Sequence, residues 1–144
     1  LAEQRRLDQR AVFNKMIDYI KENNIEYLFI AGDLYENEYV RKSTIEYINN
    51  CFKQILNTKI YITPGNHDPY INNSYYNRFE WNENVHIFTK LDKVENKNIN
   101  IYGYGFTDFY SKKSETFFVI FINESYIVLQ RGILAVKIEP YRFS

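Results

Sequence analysis

Apolar residues recur at helical spacing at the start of the chain and give way to short unbroken apolar runs further on. Over residues 1–23, Phe13, Met16, Ile17 and Ile20 stand at i, i+3, i+4 and i+7 with charged residues between them, which predicts a helix with one inward face. The pattern is already running at Leu1, with no Ser, Thr, Asp or Asn before it as an N-cap, so a cut start is expected rather than a natural one. Asn23-Asn24 should end this helix. Residues 27–31, Tyr-Leu-Phe-Ile-Ala, form a continuous apolar run of the kind that suits a strand buried on both faces of a parallel sheet. A second helical pattern over 41–56 carries Ile45, Ile48, Phe52 and Ile55, and 59–63, Lys-Ile-Tyr-Ile-Thr, follows as another strand. The order helix, strand, helix, strand predicts a right-handed crossover with the two strands parallel.

Residues 68–84 are rich in Asn and Tyr and read as loop, with one short helix around 75–79. Two further short strands are expected at 85–88 and 99–104, joined by a polar turn containing Asn96, Lys97 and Asn98. Residues 117–122 and 126–129 read as a hairpin or as consecutive strands around Asn123-Glu124. No repeat, low-complexity linker or domain boundary interrupts 1–144, so one domain is expected.

Composition narrows the function classes. With 144 residues, 45% hydrophobic and 25% charged, the chain has enough apolar material for a core, which excludes disorder. Eighteen Lys and Arg balance eighteen Asp and Glu, which argues against a strongly basic nucleic-acid module while leaving room for a local basic patch. A single cysteine, Cys51, rules out an internal disulfide framework, and no signal peptide opens the chain, so the cytoplasm is the expected compartment. The longest apolar stretch, 117–138, is broken by Asn123, Glu124, Gln130, Arg131 and Lys137 and makes a poor membrane span. Only two histidines occur, His67 and His86, so this chain alone cannot support a mechanism that needs four or five.

Two segments carry candidate chemistry: Gly32-Asp33-Leu34-Tyr35-Glu36 and Pro64-Gly65-Asn66-His67-Asp68. Each directly follows an expected parallel strand, and in an open α/β sheet the loops at the carboxyl ends of such strands share one edge, where ligands bind. Asp33, Asn66 and His67 should therefore converge although more than thirty positions separate the two loops. A carboxylate, an amide carbonyl and an imidazole are donors suited to divalent metals such as Mn²⁺ or Fe²⁺. Each motif alone also reads as an ordinary turn, since Gly, Asn and Asp are favoured turn formers. Their pairing at two strand ends of one βαβ unit makes that reading the weaker one.

With these motifs the chain resembles the calcineurin-like metallophosphoesterases. That family's pattern runs Asp-x-His, Gly-Asp-x-x-(Asp/Glu), Gly-Asn-His-(Asp/Glu), a lone His, then Gly-His-x-His. Residues 25–110, with Ala31 to Glu36 and Thr63 to Pro69, are most similar to bacterial DNA-repair exonuclease subunits, relatives of the nuclease that partners a coiled-coil ATPase. The resemblance implies an α/β fold with a β-sheet core and flanking helices, incomplete at both ends. It also implies two divalent metal ions, Mn²⁺ foremost, and DNA as the substrate of the complete form. Asp33 matches the carboxylate that bridges the two metals, Asn66 a ligand of the second metal, and His67 the histidine that touches the scissile phosphate and stabilises the transition state or protonates the leaving oxygen. Two metals about 3.5–4 Å apart activate a water and hold the phosphoryl oxygens for in-line attack. Asp68 is expected to orient its loop or His67 rather than bind metal. Glu36 is open to either of these roles, with a solvated carboxylate as the first reading, and His86 should be an ordinary strand residue.

The pattern is also incomplete. Asp-x-His and Gly-His-x-His are absent, and in the alignment of 127–132 Arg131 occupies the place of a metal-ligating histidine, where a permanent cation repels a divalent ion. If that register holds, Arg131 should lie beside 65–67 with its guanidinium toward the cleft. The chain alone is therefore expected to be catalytically weak. Two rivals stand beside the exonuclease reading: a non-catalytic binding or assembly module, and a phosphoesterase acting on esters other than DNA.

Overall fold

The structure is a computed structural model, and it describes residues 1–96, 99–105 and 116–137. A four-stranded sheet has helices on one face and a four-stranded antiparallel sheet on the other. The elements are α1 (Ala2–Glu22), β1 (Tyr27–Ala31), α2 (Lys42–Lys53), β2 (Lys59–Thr63), α3 (Tyr75–Arg78), β3 (Val85–Ile87), β4 (Lys90–Asn96), β5 (Ile99–Gly105), β6 (Phe117–Ile122), β7 (Ser125–Leu129) and β8 (Gly132–Val136). The first sheet is ordered β3-β2-β1-β8 and the second β4-β5-β6-β7. The mixed α/β class with flanking helices agrees with the reading from sequence. Among the described residues no helix is long and apolar enough to cross a membrane.

The unbroken apolar run of β1 is explained by the two layers that cover it. Leu28 and Ile30 point to the helices, where they join Ile17, Ile20, Ile45, Phe52, Ile60 and Ile62. Tyr27, Phe29 and Ala31 point the other way and pack with Tyr61, Phe88, Ile101, Phe118 and Ile120 of the inter-sheet core. Successive strand side chains alternate between faces, so a strand with apolar layers on both sides has no polar position to offer. All five residues of β1 are buried. β1 and β2 pair parallel, Leu28 opposite Ile60 and Ile30 opposite Ile62, as the crossover rule requires. At the end of α1, the Asn23 side chain donates back to the Tyr19 carbonyl at 2.9 Å, and Asn24 takes a left-handed φ of 50°, a conformation that asparagine tolerates better than most residues.

Three expectations need correction. The strands expected at 85–88 and 99–104 are not joined by one turn: β3 pairs with β2 in the first sheet, β5 belongs to the second, and β4 lies between them. Lys97 and Asn98 of the expected turn lie outside the described residues. β4 escapes the hydrophobic signal because Lys-Leu-Asp-Lys-Val-Glu-Asn leaves Leu91 exposed, and its strand form rests on pairing with β5 from Lys90↔Gly105 to Asn96↔Ile99. β8, which in the sequence is only the tail of a long apolar stretch, returns to the first sheet antiparallel to β1. The hairpin around Asn123-Glu124 forms as expected, with Asn123 at φ 55° and Ile122 opposite Ser125.

Contact between the two sheets depends on Gly103, where a Cβ would lie 2.7 Å from two Phe88 ring atoms and 3.1 Å from Phe118. Gly103→Ala is expected to lower the urea unfolding free energy by about 1–3 kcal/mol through overpacking. Asn100→Ala, on the exposed side of the same strand, should change it by less than about 0.5 kcal/mol. Equal midpoints for Gly103→Ala and the parent chain would contradict this inter-sheet packing.

Candidate active site

At the end of β1 the chain reverses through two consecutive left-handed residues, Gly32 at φ 71° and Asp33 at φ 58°. The Gly32 amide donates to the Thr63 carbonyl at 2.8 Å, which brings this turn against the end of β2. There Gly65 lets the two loops touch, since a Cβ on it would lie 3.0 Å from the Gly32 Cα and 3.1 Å from both the Asp33 nitrogen and Oδ1.

Asp68 locks the arrangement. Its carboxylate is fully buried and accepts the amides of Asp33, Leu34 and Gly65, each at 2.9 Å, and the Tyr76 hydroxyl at 2.5 Å. Burial pushes this carboxyl up to about 6, against the opposing pull of the Tyr76 hydroxyl and the three amides. The orienting role expected of Asp68 is thus what the structure shows, with its hydrogen bonds going to the backbone of both loops and not to His67.

With its backbone held from behind, Asp33 presents an exposed carboxylate that has no hydrogen-bond or ion-pair partner among the described residues. Asn66 is likewise exposed. His67 Nδ1 lies 2.8 Å from Glu36 Oε2, and its carbonyl accepts the Asn37 amide at 2.9 Å. Asp33, Glu36 and His67 line one cavity of about 540 Å³, which residues of α1 and α2 also line. Asn66 stands between Gly65 and His67 and does not line that cavity. Among the described residues neither the Asp33 nor the Asn66 side chain has a hydrogen-bond or ion-pair partner, and two such oxygen donors at one sheet edge suit a divalent ion. They make only part of a shell: among the described residues no three His, Cys, Asp or Glu side chains group as a metal site.

Glu36 is partly exposed but not merely solvated, and its contact with His67 favours the orienting alternative over the first reading. The tight turn after Asp33 swings it to His67, where it holds one ring nitrogen and leaves Nε2 without a protein partner among the described residues. The usable signal is spacing, a carboxylate three positions after Asp33 inside a strand-end turn. His86 is an ordinary strand residue, edge-on to Phe88 at 4.7 Å with Nε2 3.7 Å from Asp92. Arg131 does not end a strand beside 65–67. It precedes β8, whose Gly132 pairs with Ala31, so it flanks the end of β1 on the side away from β2. Exposed, it faces a shallow surface with Val128, Leu129 and Gln130 and does not line the cavity of Asp33.

The calcineurin-like phosphoesterase family profile matches residues 6–132. Among curated proteins, the chain is 31% identical over 109 residues to a subunit of nuclease SbcCD from Staphylococcus saprophyticus. That match covers 72% of this chain and 27% of the relative, so the chain spans about a quarter of the relative's length. No solved structure gives a significant match.

Since Asp68 has its folded pKa above the ordinary 3.8, the stability linked to its protonation is complete below that value and is lost as pH rises through about 6. Asp68→Ala strands three amides and a hydroxyl, at about 1–3 kcal/mol for each group left unsatisfied. In metal-free buffer, urea unfolding should show the gap between parent and variant narrowing by up to about 3 kcal/mol between pH 4 and pH 7. A gap that widens over this range would mean that the hydrogen bonds outweigh burial for the ionised form.

Proposed function

The chain belongs to the calcineurin-like phosphoesterase family, and from that premise we propose that it supplies the metal-binding loops of a metal-dependent phosphodiesterase of the DNA-repair exonuclease type. The observation that carries this reading is the convergence of Asp33 and His67 on one cavity, with the two loops tied together by Asp68 and His67 braced by Glu36. The similarity to a nuclease subunit favours nucleic acid as the substrate. That relative's designation as one part of a larger nuclease favours assembly with a partner, for which a coiled-coil ATPase is the candidate, and the cytoplasm is the compartment we propose.

In this reading Asp33 and Asn66 would hold divalent metal, Mn²⁺ foremost. Their exposed and unpartnered oxygens fit that role. Bound metal supplies an activated water and charge to neutralise the phosphoryl oxygens. The protein's own work is positional. Asp68 presets the Asp33 backbone, so little loop ordering is left for ligand binding. Glu36 fixes the His67 ring through Nδ1, which directs Nε2 toward the ester, where it touches the phosphate and gives a proton to the departing oxygen.

Mn²⁺ binding followed by electron paramagnetic resonance, together with hydrolysis of bis-p-nitrophenyl phosphate, separates these roles. Asp33→Asn should weaken Mn²⁺ binding at least about tenfold. His67→Gln should leave Mn²⁺ binding intact and lower any Mn²⁺-dependent hydrolysis by about a hundredfold, the usual scale for losing a general acid. Equal Mn²⁺ affinity in Asp33→Asn and the parent chain would overturn the metal assignment. A preference for p-nitrophenyl phosphate over the diester would move the substrate away from nucleic acid.

A further inference from the structure

Beyond Asp33, Glu36 and His67, the same cavity has a second end that the chemistry of those residues leaves unused. Among the described lining residues Arg10 of α1 is the one Lys or Arg, and Phe13, Leu34, Tyr47 and Ile48 make apolar walls. The Arg10 guanidinium carbon stands 4.5 Å from the centre of the Tyr47 ring. Tyr47 is itself fixed, its hydroxyl lying 2.5 Å from Asn14 Oδ1 and 3.3 Å from the Arg10 carbonyl. Arg10 Nε is buried without a hydrogen-bond partner, and among the described residues no carboxylate lies within ion-pair distance of this side chain, although Asp33 and Glu36 line the same cavity.

A guanidinium over an aromatic ring is held in place, and its planar fork of N–H groups is the geometry that grips a phosphate through paired hydrogen bonds. Nε is too buried for a ligand to reach, so the terminal guanidinium nitrogens, on a side chain that lines the cavity, are the groups open to an anion. Aromatic and aliphatic walls accept the flat face of a base, and a volume of about 540 Å³ falls within the range of small-ligand pockets. The two carboxylates at the other end disfavour a second anion there, so a ligand's phosphate is directed to Arg10.

We propose that this cavity is a subsite for one nucleotide unit of the substrate, with Arg10 carrying the phosphate that flanks the scissile one and with Phe13 and Tyr47 contacting the base. The proposal rests on the phosphodiesterase reading and extends it by naming a residue that sets specificity at a distance from the reacting bond. Arg10 acts through binding alone, so its role is readable without metal or turnover.

The test is calorimetric titration of the full chain in EDTA with thymidine 5′-monophosphate, thymidine and inorganic phosphate. The nucleotide should bind more tightly than either part. Arg10→Gln should weaken the nucleotide about tenfold and leave thymidine unchanged, and Arg10→Lys, which keeps the charge without the planar fork, should fall between. Lys53→Gln, on an exposed cation outside the cavity, should match the parent chain. The proposal is overturned if the parent chain does not bind the nucleotide, if inorganic phosphate binds equally well, or if Arg10→Gln retains full affinity. Mn²⁺ binding by Asp33→Asn reports separately on the phosphodiesterase reading. Asp33-dependent Mn²⁺ binding without Arg10-dependent nucleotide binding would sink only the subsite, and the converse result would sink the metal assignment and leave a nucleotide pocket.

Discussion

One buried carboxylate holds together two loops that are thirty-five residues apart. Asp68 sits behind the site with no exposure to solvent and gathers three amides and a hydroxyl from the β1 turn, the β2 turn and α3. An amide turned away from its own strand needs an acceptor, and a buried carboxylate needs donors, so each solves the other's problem. The left-handed turn at Gly32 and Asp33 and the close pass at Gly65 are possible because those amides have somewhere to go. Asp33 thus reaches the cavity edge with its side chain free, its position set by a neighbour that never touches a ligand.

The parts legible in the sequence are those where one local signal suffices. β1 can be read from five apolar residues in a row, and the βαβ order alone places both motifs at one edge. Asp33 and His67 line one cavity as that topology requires. The misses come from strands and pairs whose form depends on distant partners. β4 is charged and partly exposed, and nothing local distinguishes it from a linker until β5 lies beside it. β8 begins at Gly132, which has a positive φ of 105°, and its place against β1 depends on the path of the whole second sheet. That placement is also why Arg131 stands at the end of β1 and outside the cavity of Asp33. The Glu36–His67 contact is hidden for a related reason, since a carboxylate in a turn reads as solvated unless the fold supplies its partner.

Polarity within the site is graded. The strand-end turns bring two carboxylates and an imidazole to the cavity, and the helices bring a guanidinium over an aromatic ring together with apolar side chains. The two sets are borne by different elements, the strand-end turns for one and α1 with α2 for the other. Their separation is therefore fixed by how the helices pack on the sheet, through Ile17, Ile20, Ile45 and Phe52. Core packing far from the cavity mouth thus sets the span between its two charged sets.

β1 belongs to two cores at once, and this bears on how the molecule can come apart. Leu28 and Ile30 serve the helical layer while Tyr27, Phe29 and Ala31 serve the inter-sheet layer, all on one five-residue segment. Loosening either layer withdraws half of the contacts that keep that segment extended, and the other layer then loses its floor. The two layers are consequently coupled into one cooperative unit, so partial opening is confined to elements that do not pass through this strand. The turn bearing Asp33 is the direct continuation of β1, and its persistence is tied to global unfolding rather than to local fraying.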